Sequence, residues 1–316
     1  MDIHTFYALV GFLLAAYAVI GNDSVQTLGT FIASNTRVFK WYWLWLAASG
    51  VLVFTLVYGW YTHDGDISFG RLEKIPYEPI QWYHAIAPLA LVLLTRLGIP
   101  LSTTFLVLSA FASTVVLEKM LIKSIVGYGV AAIVAYGVWM IVARIVNEKH
   151  SKVKKEHRVY WRSFQWVSTG FLWFSWLSHD MANIAVFLPR TLSVEMLLGV
   201  LFVLVGWLGY IFKTSGGKIQ KVVLEKSGAR FMRSATIIDL VYAFLLVYFK
   251  QINSIPMSTT WVFVGLLSGR ELAIATTYRE TYHLGYVFPL IGKDFLKMMV
   301  GLAASVAIVL MVHHVL

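Results

Sequence analysis

Ile20-Gly21-Asn22-Asp23-Ser24-Val25-Gln26 interrupts an apolar segment with an acid where the middle of a membrane span belongs. A second stretch, Ser178-His179-Asp180-Met181-Ala182-Asn183, answers it in the other half of the chain. Each is followed by Ile-Pro, one apolar residue and Ser-Thr-Thr, at Ile99 to Thr104 and at Ile255 to Thr260. Asp23 precedes Ser102 by 79 residues, and Asp180 precedes Ser258 by 78. Four landmarks in register across 316 residues imply an internal duplication, offset by 156–157 positions.

Composition sets the solvent. Hydrophobic residues make up 59% of the chain, charged residues 13%, and the mean hydropathy is +0.72. A soluble domain of this length cannot bury so much apolar surface, so a polytopic all-α membrane protein is expected. The lipid bilayer is then its first partner, and twelve Trp and sixteen Tyr suit the two interfaces. The Trp-rich runs at 41–45 and 161–176 read as interfacial anchors. With no Cys, disulfides and thiolate metal sites are excluded. The net charge of +10 lies mostly in two loops, so it marks topology and not nucleic-acid binding. Met1-Asp2-Ile3-His4 carries no Lys or Arg ahead of the apolar run, so a cleavable signal is not expected. Walker, dinucleotide-turn and His-Glu-x-x-His patterns do not occur, which argues against ATP-driven transport and against an enzyme.

Taken in order, the chain divides into two inverted-topology repeats, 1–146 and 163–316, joined by a basic cytoplasmic linker at 147–162. The first opens on a discontinuous helix over 5–34, because Gly21, Asn22 and Asp23 are poor helix-interior residues. A span at 41–61 and a polar loop at 62–83 follow. The arms 84–97 and 102–117 are each shorter than the ~20 residues a crossing needs, so 84–117 is expected as a re-entrant hairpin. Pro100 splits it and Ser102 caps the second arm. A full span follows at 121–146. The second repeat has a broken helix at 163–189, a span at 193–212 and a hairpin at 235–269. An interfacial segment at 270–293 and a last span at 294–313 complete it. Loops 147–162 and 213–233 carry six Lys/Arg each, and loop 62–83 carries two. The positive-inside rule then puts the six-charge loops in the cytoplasm and both termini outside a plasma (inner) membrane. Inverted repeats place a transport site near the midplane between the halves.

The candidate site follows. An acid within a span costs about 2.5–3.5 kcal/mol on insertion scales, so Asp23 and Asp180 at equivalent breaks are read as cation or proton sites. Ser102-Thr103-Thr104 and Ser258-Thr259-Thr260 each open a hairpin arm, where unpaired amides and hydroxyls suit an oxyanion. Gln26 and Asn183 stand one turn after the acids and reach toward the same space. His179 is read as a neighbour of the cation site or as a polar residue of the break. Arg96 either adds positive charge near an anion or carries its head to water. Asp239 is a third membrane acid with no partner evident in sequence.

With these residues in view, the chain resembles the inorganic phosphate transporter (PiT) family, over nearly its whole length. That family carries a duplicated Gly-Ala-Asn-Asp-x-Ala-Asn-type motif and a duplicated Pro-x-Ser-Thr-Thr-His-type motif. Gly21 to Gln26 with Gly29, and His179 to Asn183, match the first; Pro100 to Thr104 and Pro256 to Thr260 match the second. Phe105 and Trp261 stand where the motif has His, and His179 stands where it has Asn. The resemblance implies a secondary transporter, a Na+- or H+-coupled symporter of inorganic phosphate working by alternating access, and a homodimer. It implies a cation role for Asp23 and Asp180 with Asn22 beside the first. The anion or a shared polar shell falls to the Ser-Thr-Thr tips, Gln26 and Asn183. Asp239 lies beside the position of an acid in the family's second hairpin. No cofactor beyond the coupling ion is expected. Sulfate or another oxyanion is the alternative substrate, and an anion channel or a non-transporting receptor the alternative class.

Overall fold

The Asp2 carboxylate accepts the Ile3 amide at 2.7 Å and starts the first helix, α1 (Ile3–Asn35). The computed structural model describes residues 2–96, 102–145, 157–216, 232–252, 254–277 and 284–315, and its elements are helical throughout. Pro100, most of the 147–162 linker, most of the 213–233 loop and the side chain of Arg96 lie outside the described residues.

After α1 come α2 (Trp41–Thr62), a 3-10 turn at Trp82–Ala85, α3 (Ile86–Arg96), α4 (Thr103–Leu108) and α5 (Thr114–Ile145). The second half holds α6 (Arg158–Asp180), α7 (Ala182–Ala185) and α8 (Val194–Lys213). It continues with α9 (Met232–Ile252), α10 (Thr259–Thr277) and α11 (Leu284–Val315). Among the described residues six helices are long and apolar enough to cross a membrane: α1, α2, α5, α8, α9 and α11.

α1 passes through Gly21-Asn22-Asp23 without a break, so the expected discontinuity within 5–34 is not formed. The reason is local and tertiary together. Ser24 donates its hydroxyl to the Ile20 carbonyl, and Thr27 bonds the carbonyls of Asp23 and Ser24 at 3.1 Å. Side chains that can compete with a helix here bond the helix's own carbonyls and leave its turns intact. The Asp23 carboxylate finds partners outside the backbone, and a weak propensity yields to them. In the second half, α6 does end at Asp180, but only the single turn of α7 follows before Pro189, not a second half-helix.

Hairpin boundaries also move. α4 ends at Leu108 and α5 begins at Thr114, so 114–117 belong to the long span and not to the hairpin's second arm. α9 and α10 extend beyond 235–250 and 258–269. α10 runs through the adjacent charges at 270 and 271 because they pair: Arg270 Nη1 meets Glu271 Oε1 at 2.7 Å, and the guanidinium lies 5.5 Å from the Trp139 ring. Of the segment expected at the interface, 270–293, residues 270–277 end α10, residues 284–293 begin α11, and 278–283 lie outside the described residues.

Packing gives the helices their directions. α10 lies along α5 in parallel, with Gly265 on Tyr128, Gly269 on Ala132 and Thr277 on Met140. The spacing Gly265-x-x-x-Gly269 lets the two backbones touch; a Cβ at either glycine would stand 2.3 or 2.0 Å from a carbonyl oxygen of α5. α9 runs parallel to α6, from Asp239 beside Thr169 to the Leu246 carbonyl at His179. α1 runs antiparallel to α6, from Asn35 at Gln165 (3.2 Å) to Gly11 against Phe187. Trp173 and Trp176 stack 5.0 Å apart in the core, and Trp173 donates to the Ala48 carbonyl at 3.1 Å. These two are core residues and not the interfacial anchors expected of the 161–176 run. Trp43, in contrast, is 56% exposed.

Candidate functional site

Asp23 sits two-thirds of the way along α1 and Asp180 at the C-terminal end of α6, and both are buried. The first hairpin lies between them. Ser102 caps α4 by accepting the Phe105 amide at 3.2 Å, which orients the next two hydroxyls. Thr103 donates to Asp23 Oδ2 at 2.6 Å, and Thr104 donates to Asp180 Oδ1 at 3.1 Å. Asn183, on the α7 turn, closes the gap: its Nδ2 reaches Thr103 Oγ1 (3.0 Å), Asp180 Oδ1 (3.3 Å) and Thr104 Oγ1 (3.4 Å). On α1, Asn22 Nδ2 and Gln26 Nε2 reach Asp23 Oδ1 at 2.6 and 3.3 Å. Asn22, Asp23, Gln26, Thr103, Thr104, Asp180 and Asn183 therefore form one buried polar network drawn from both halves of the chain.

The second hairpin completes the enclosure. Ser258 caps α10 through the Trp261 amide at 3.2 Å, and its own amide bonds Ser124 Oγ at 2.9 Å. Thr259 lies beside the Asp180 carboxylate, and the Tyr242 hydroxyl holds the Thr259 carbonyl at 2.9 Å. Thr259 and Thr260 are buried. Phe105 and Trp261, one from each tip, meet ring to ring at 5.6 Å. The two Ser-Thr-Thr tips are thus joined by an aromatic contact.

Among the described residues, the buried Asp180 Oδ2 and Asn183 Oδ1 lack a donor at close hydrogen-bond distance, and Thr259 is the side chain that approaches the Asp180 carboxylate. Two carboxylates linked through hydroxyls and amides, with these oxygens beside them, make a donor set suited to a hard monovalent cation. The hydroxyls and amides are suited to an oxyanion.

Three expected or unexpected residues lie differently. Asp239 gains the partners its sequence did not reveal: Thr30 of α1 at 2.9 Å and Thr169 of α6 at 2.5 Å. It is tied two turns beyond Asp23 along α1, about 10 Å of rise. His179 turns away from the carboxylates. Its Nε2 lies 2.8 Å from the Leu246 carbonyl, and Arg71 Nη2 lies against both ring nitrogens, 2.7 Å from Nε2. Arg71 is the residue the sequence reading left among loop charges. Asp66 folds that loop by accepting Ser68 N, Ser68 Oγ and Gly70 N at 2.7–2.8 Å, and Gly70 turns the chain at φ +73°. The turn buries Arg71 to 1% exposure and sets Nη1 3.2 Å from the Ile255 carbonyl. Lys123 reaches the same oxygen at 2.9 Å. Burial pushes the Arg71 guanidinium down to about 10, while the negative charge of Asp180 holds it up. The sequence offers one weak signal for it: an Arg in a loop whose four acids outnumber its two basic residues.

No protein-family model matches the chain, and no curated protein matches it by sequence. Among solved structures it is similar to one described as "The sodium-dependent phosphate transporter", with 16% sequence identity, a TM-score of 0.67 and full coverage of both chains. With helices enough to cross a bilayer and this likeness over its whole length, the chain has the fold of a membrane phosphate transporter.

Proposed function

We propose that the protein is a secondary transporter that carries an inorganic oxyanion, phosphate first, together with Na+ or H+ by alternating access, and that it is not an enzyme. The observation that carries this reading is the single buried network joining Asp23 and Asp180 through Thr103, Asn183 and Thr104. A scaffold gains nothing from two buried carboxylates, whereas a symporter needs a cation site that senses its anion. Here the same threonines that contact the acids open a helix toward the anion, so occupancy of one ligand alters the other's partners.

Asp23, Asp180, Asn22 and the oxygens Asp180 Oδ2 and Asn183 Oδ1 are assigned to the cation. Thr103, Thr104, Thr259, Thr260 and Gln26 are assigned to the anion, with Ser102 and Ser258 capping the helices that present them. His179 belongs with Arg71, and Asp239 is a tie among α1, α6 and α9. Phosphate is favoured over sulfate on chemical grounds. Hydrogen phosphate carries a proton to donate to a carboxylate, and sulfate has none.

The antiparallel course of α1 and α6 supports the inverted repeat, with the hairpins entering from opposite faces. Basic loops 147–162 and 213–233 are assigned to the cytoplasm, both termini to the outside of a plasma (inner) membrane, and the assembly to a homodimer.

The test is uptake of radiolabelled phosphate by the purified protein in liposomes under a Na+ gradient, a pH gradient or neither. Gradient-driven uptake is expected, reduced at least about tenfold by Asp23→Asn, a loss of about 1.4 kcal/mol or more. Uptake of the same size without any gradient would indicate a channel, and uptake of sulfate alone would move the assignment to that anion.

A further inference from the structure

The duplicated motif is not symmetrical in its charges. Among the described residues, Asp23 is bonded by neutral groups: the amides of Asn22 and Gln26 and the hydroxyl of Thr103. At the matching place in the second half, the residue before the acid is His179, and a guanidinium is seated on it. Arg71 Nη2 lies against both ring nitrogens, 2.7 Å from Nε2, and Nε2 also lies 2.8 Å from the Leu246 carbonyl. Arg71 can only donate, so the imidazole serves it as an acceptor. Both nitrogens are engaged, which leaves His179 as a seat for Arg71. The second arm of the guanidinium holds the Ile255 carbonyl, just ahead of Pro256 in the second hairpin. Arg71 is therefore pinned from two sides, on α6 and on the hairpin, next to Asp180.

We propose that Arg71 is a built-in cation of the transport site, so that the two carboxylates take up one mobile monovalent cation per cycle instead of two. This rests on the symport reading. Two buried carboxylates in one network repel each other unless cations neutralise them. One positive charge is fixed in the fold at the Asp180 side, on a side chain that stays protonated at any physiological pH. The influence of Asp180 on Arg71 is felt at that seat. One charge remains to be balanced, and the neutral oxygen shell of Asp23 with Asp180 Oδ2 and Asn183 Oδ1 is where a mobile ion fits. Lys123 shares the Ile255 carbonyl with Arg71, at 2.9 Å, and Lys250 lies 4.2 Å from the Phe69 ring. Both add positive charge around His179, while the charge that bears on Asp180 is that of Arg71.

The experiment titrates Na+ against the full-length protein in two ways: thermal unfolding in detergent, and initial phosphate uptake in liposomes. In uptake the wild type is expected to respond hyperbolically to Na+, and in unfolding its stabilisation is expected to follow the one-site form RT ln(1 + [Na+]/Kd). R71Q lacks the fixed charge, gains a second Na+ site, turns sigmoidal in uptake and approaches twice the one-site dependence of stability on ln[Na+]. R71K keeps the charge and follows wild type in both. A wild type that is sigmoidal in uptake, or an R71Q protein that acquires no Na+ response beyond that of wild type, overturns the inference. If R71Q is not recovered folded, the R71Q/D180N double variant removes both charges together and is expected to fold. Its loss while D180N alone folds also overturns it. The unfolding arm needs no flux. A wild type with the one-site Na+ dependence of stability, and R71Q approaching twice that dependence, that yet moves no oxyanion retains Arg71 as a cation substitute and removes the symport reading instead.

Discussion

At the scale of single residues, the site is decided by what each polar atom can reach. Asp23 and Asp180 were legible in the sequence because an acid in an apolar run has no inexpensive place in lipid. Thr103, Thr104 and Asn183 were legible because their spacing repeats. Arg71 was not, since a lone Arg in a polar loop looks like any solvated charge, and only the turn at Asp66 to Gly70 carries it inward. Its titration gives a pH prediction. Burial lowers the guanidinium to about 10 and the Asp180 charge opposes a further fall, so the cation is present below that pH and lost above it. The difference in Na+ dependence between wild type and R71Q should shrink as pH rises past about 10. Stopped-flow uptake across that range checks it; a difference that vanishes near neutrality would contradict the assignment of the charge to Arg71.

At the scale of elements, the parallel pair α5 and α10 is the most constrained contact. Lipid offers little hydrophobic drive between helices, so small residues that let backbones touch supply the packing. Gly265→Ala and Gly269→Ala each force a methyl into a carbonyl oxygen of α5, and each is expected to cost on the order of 1–3 kcal/mol as overpacking. Gly137→Ala meets nothing within 4 Å and should be neutral or stabilising by up to about 1 kcal/mol, from helix propensity. Thermal unfolding of the three variants in detergent ranks them. Equal melting of Gly269→Ala and Gly137→Ala would mean that α5 yields freely, against the close approach described. This pairing also explains why α10 passes Gly269, where the sequence reading stopped: Arg270 and Glu271 neutralise each other within the helix.

At the scale of the whole molecule, the ends of the spans define two faces. Thr36 to Tyr42 and Lys213 share one cavity of about 430 Å³, so the α1–α2 turn and the end of α8 lie on one side. Loop 63–81 lies on the other, where the Leu192 amide bonds the Gly65 carbonyl at 3.0 Å and Arg190 bonds the Ile75 carbonyl at 3.0 Å. The absence of Cys makes this testable without a background. Single cysteines at exposed Arg37 and Thr214 should react with a membrane-impermeant thiol reagent from the same side, and one at exposed His63 from the opposite side. Labelling of all three from one side would overturn the arrangement.

The sequence by itself determined the membrane class, the two acids, the two Ser-Thr-Thr tips and their pairing, because hydropathy and a repeated spacing are properties of the chain alone. Only the tertiary structure decided that α1 runs unbroken through Asp23, because the carboxylate's partners come from Thr103 eighty residues away as well as from its own turn. Only the fold showed that His179 serves Arg71 and that Asp239 serves Thr30 and Thr169. A buried charge is expensive until a partner meets it. Which distant residue that partner is depends on how the helices cross, and local sequence does not encode that crossing.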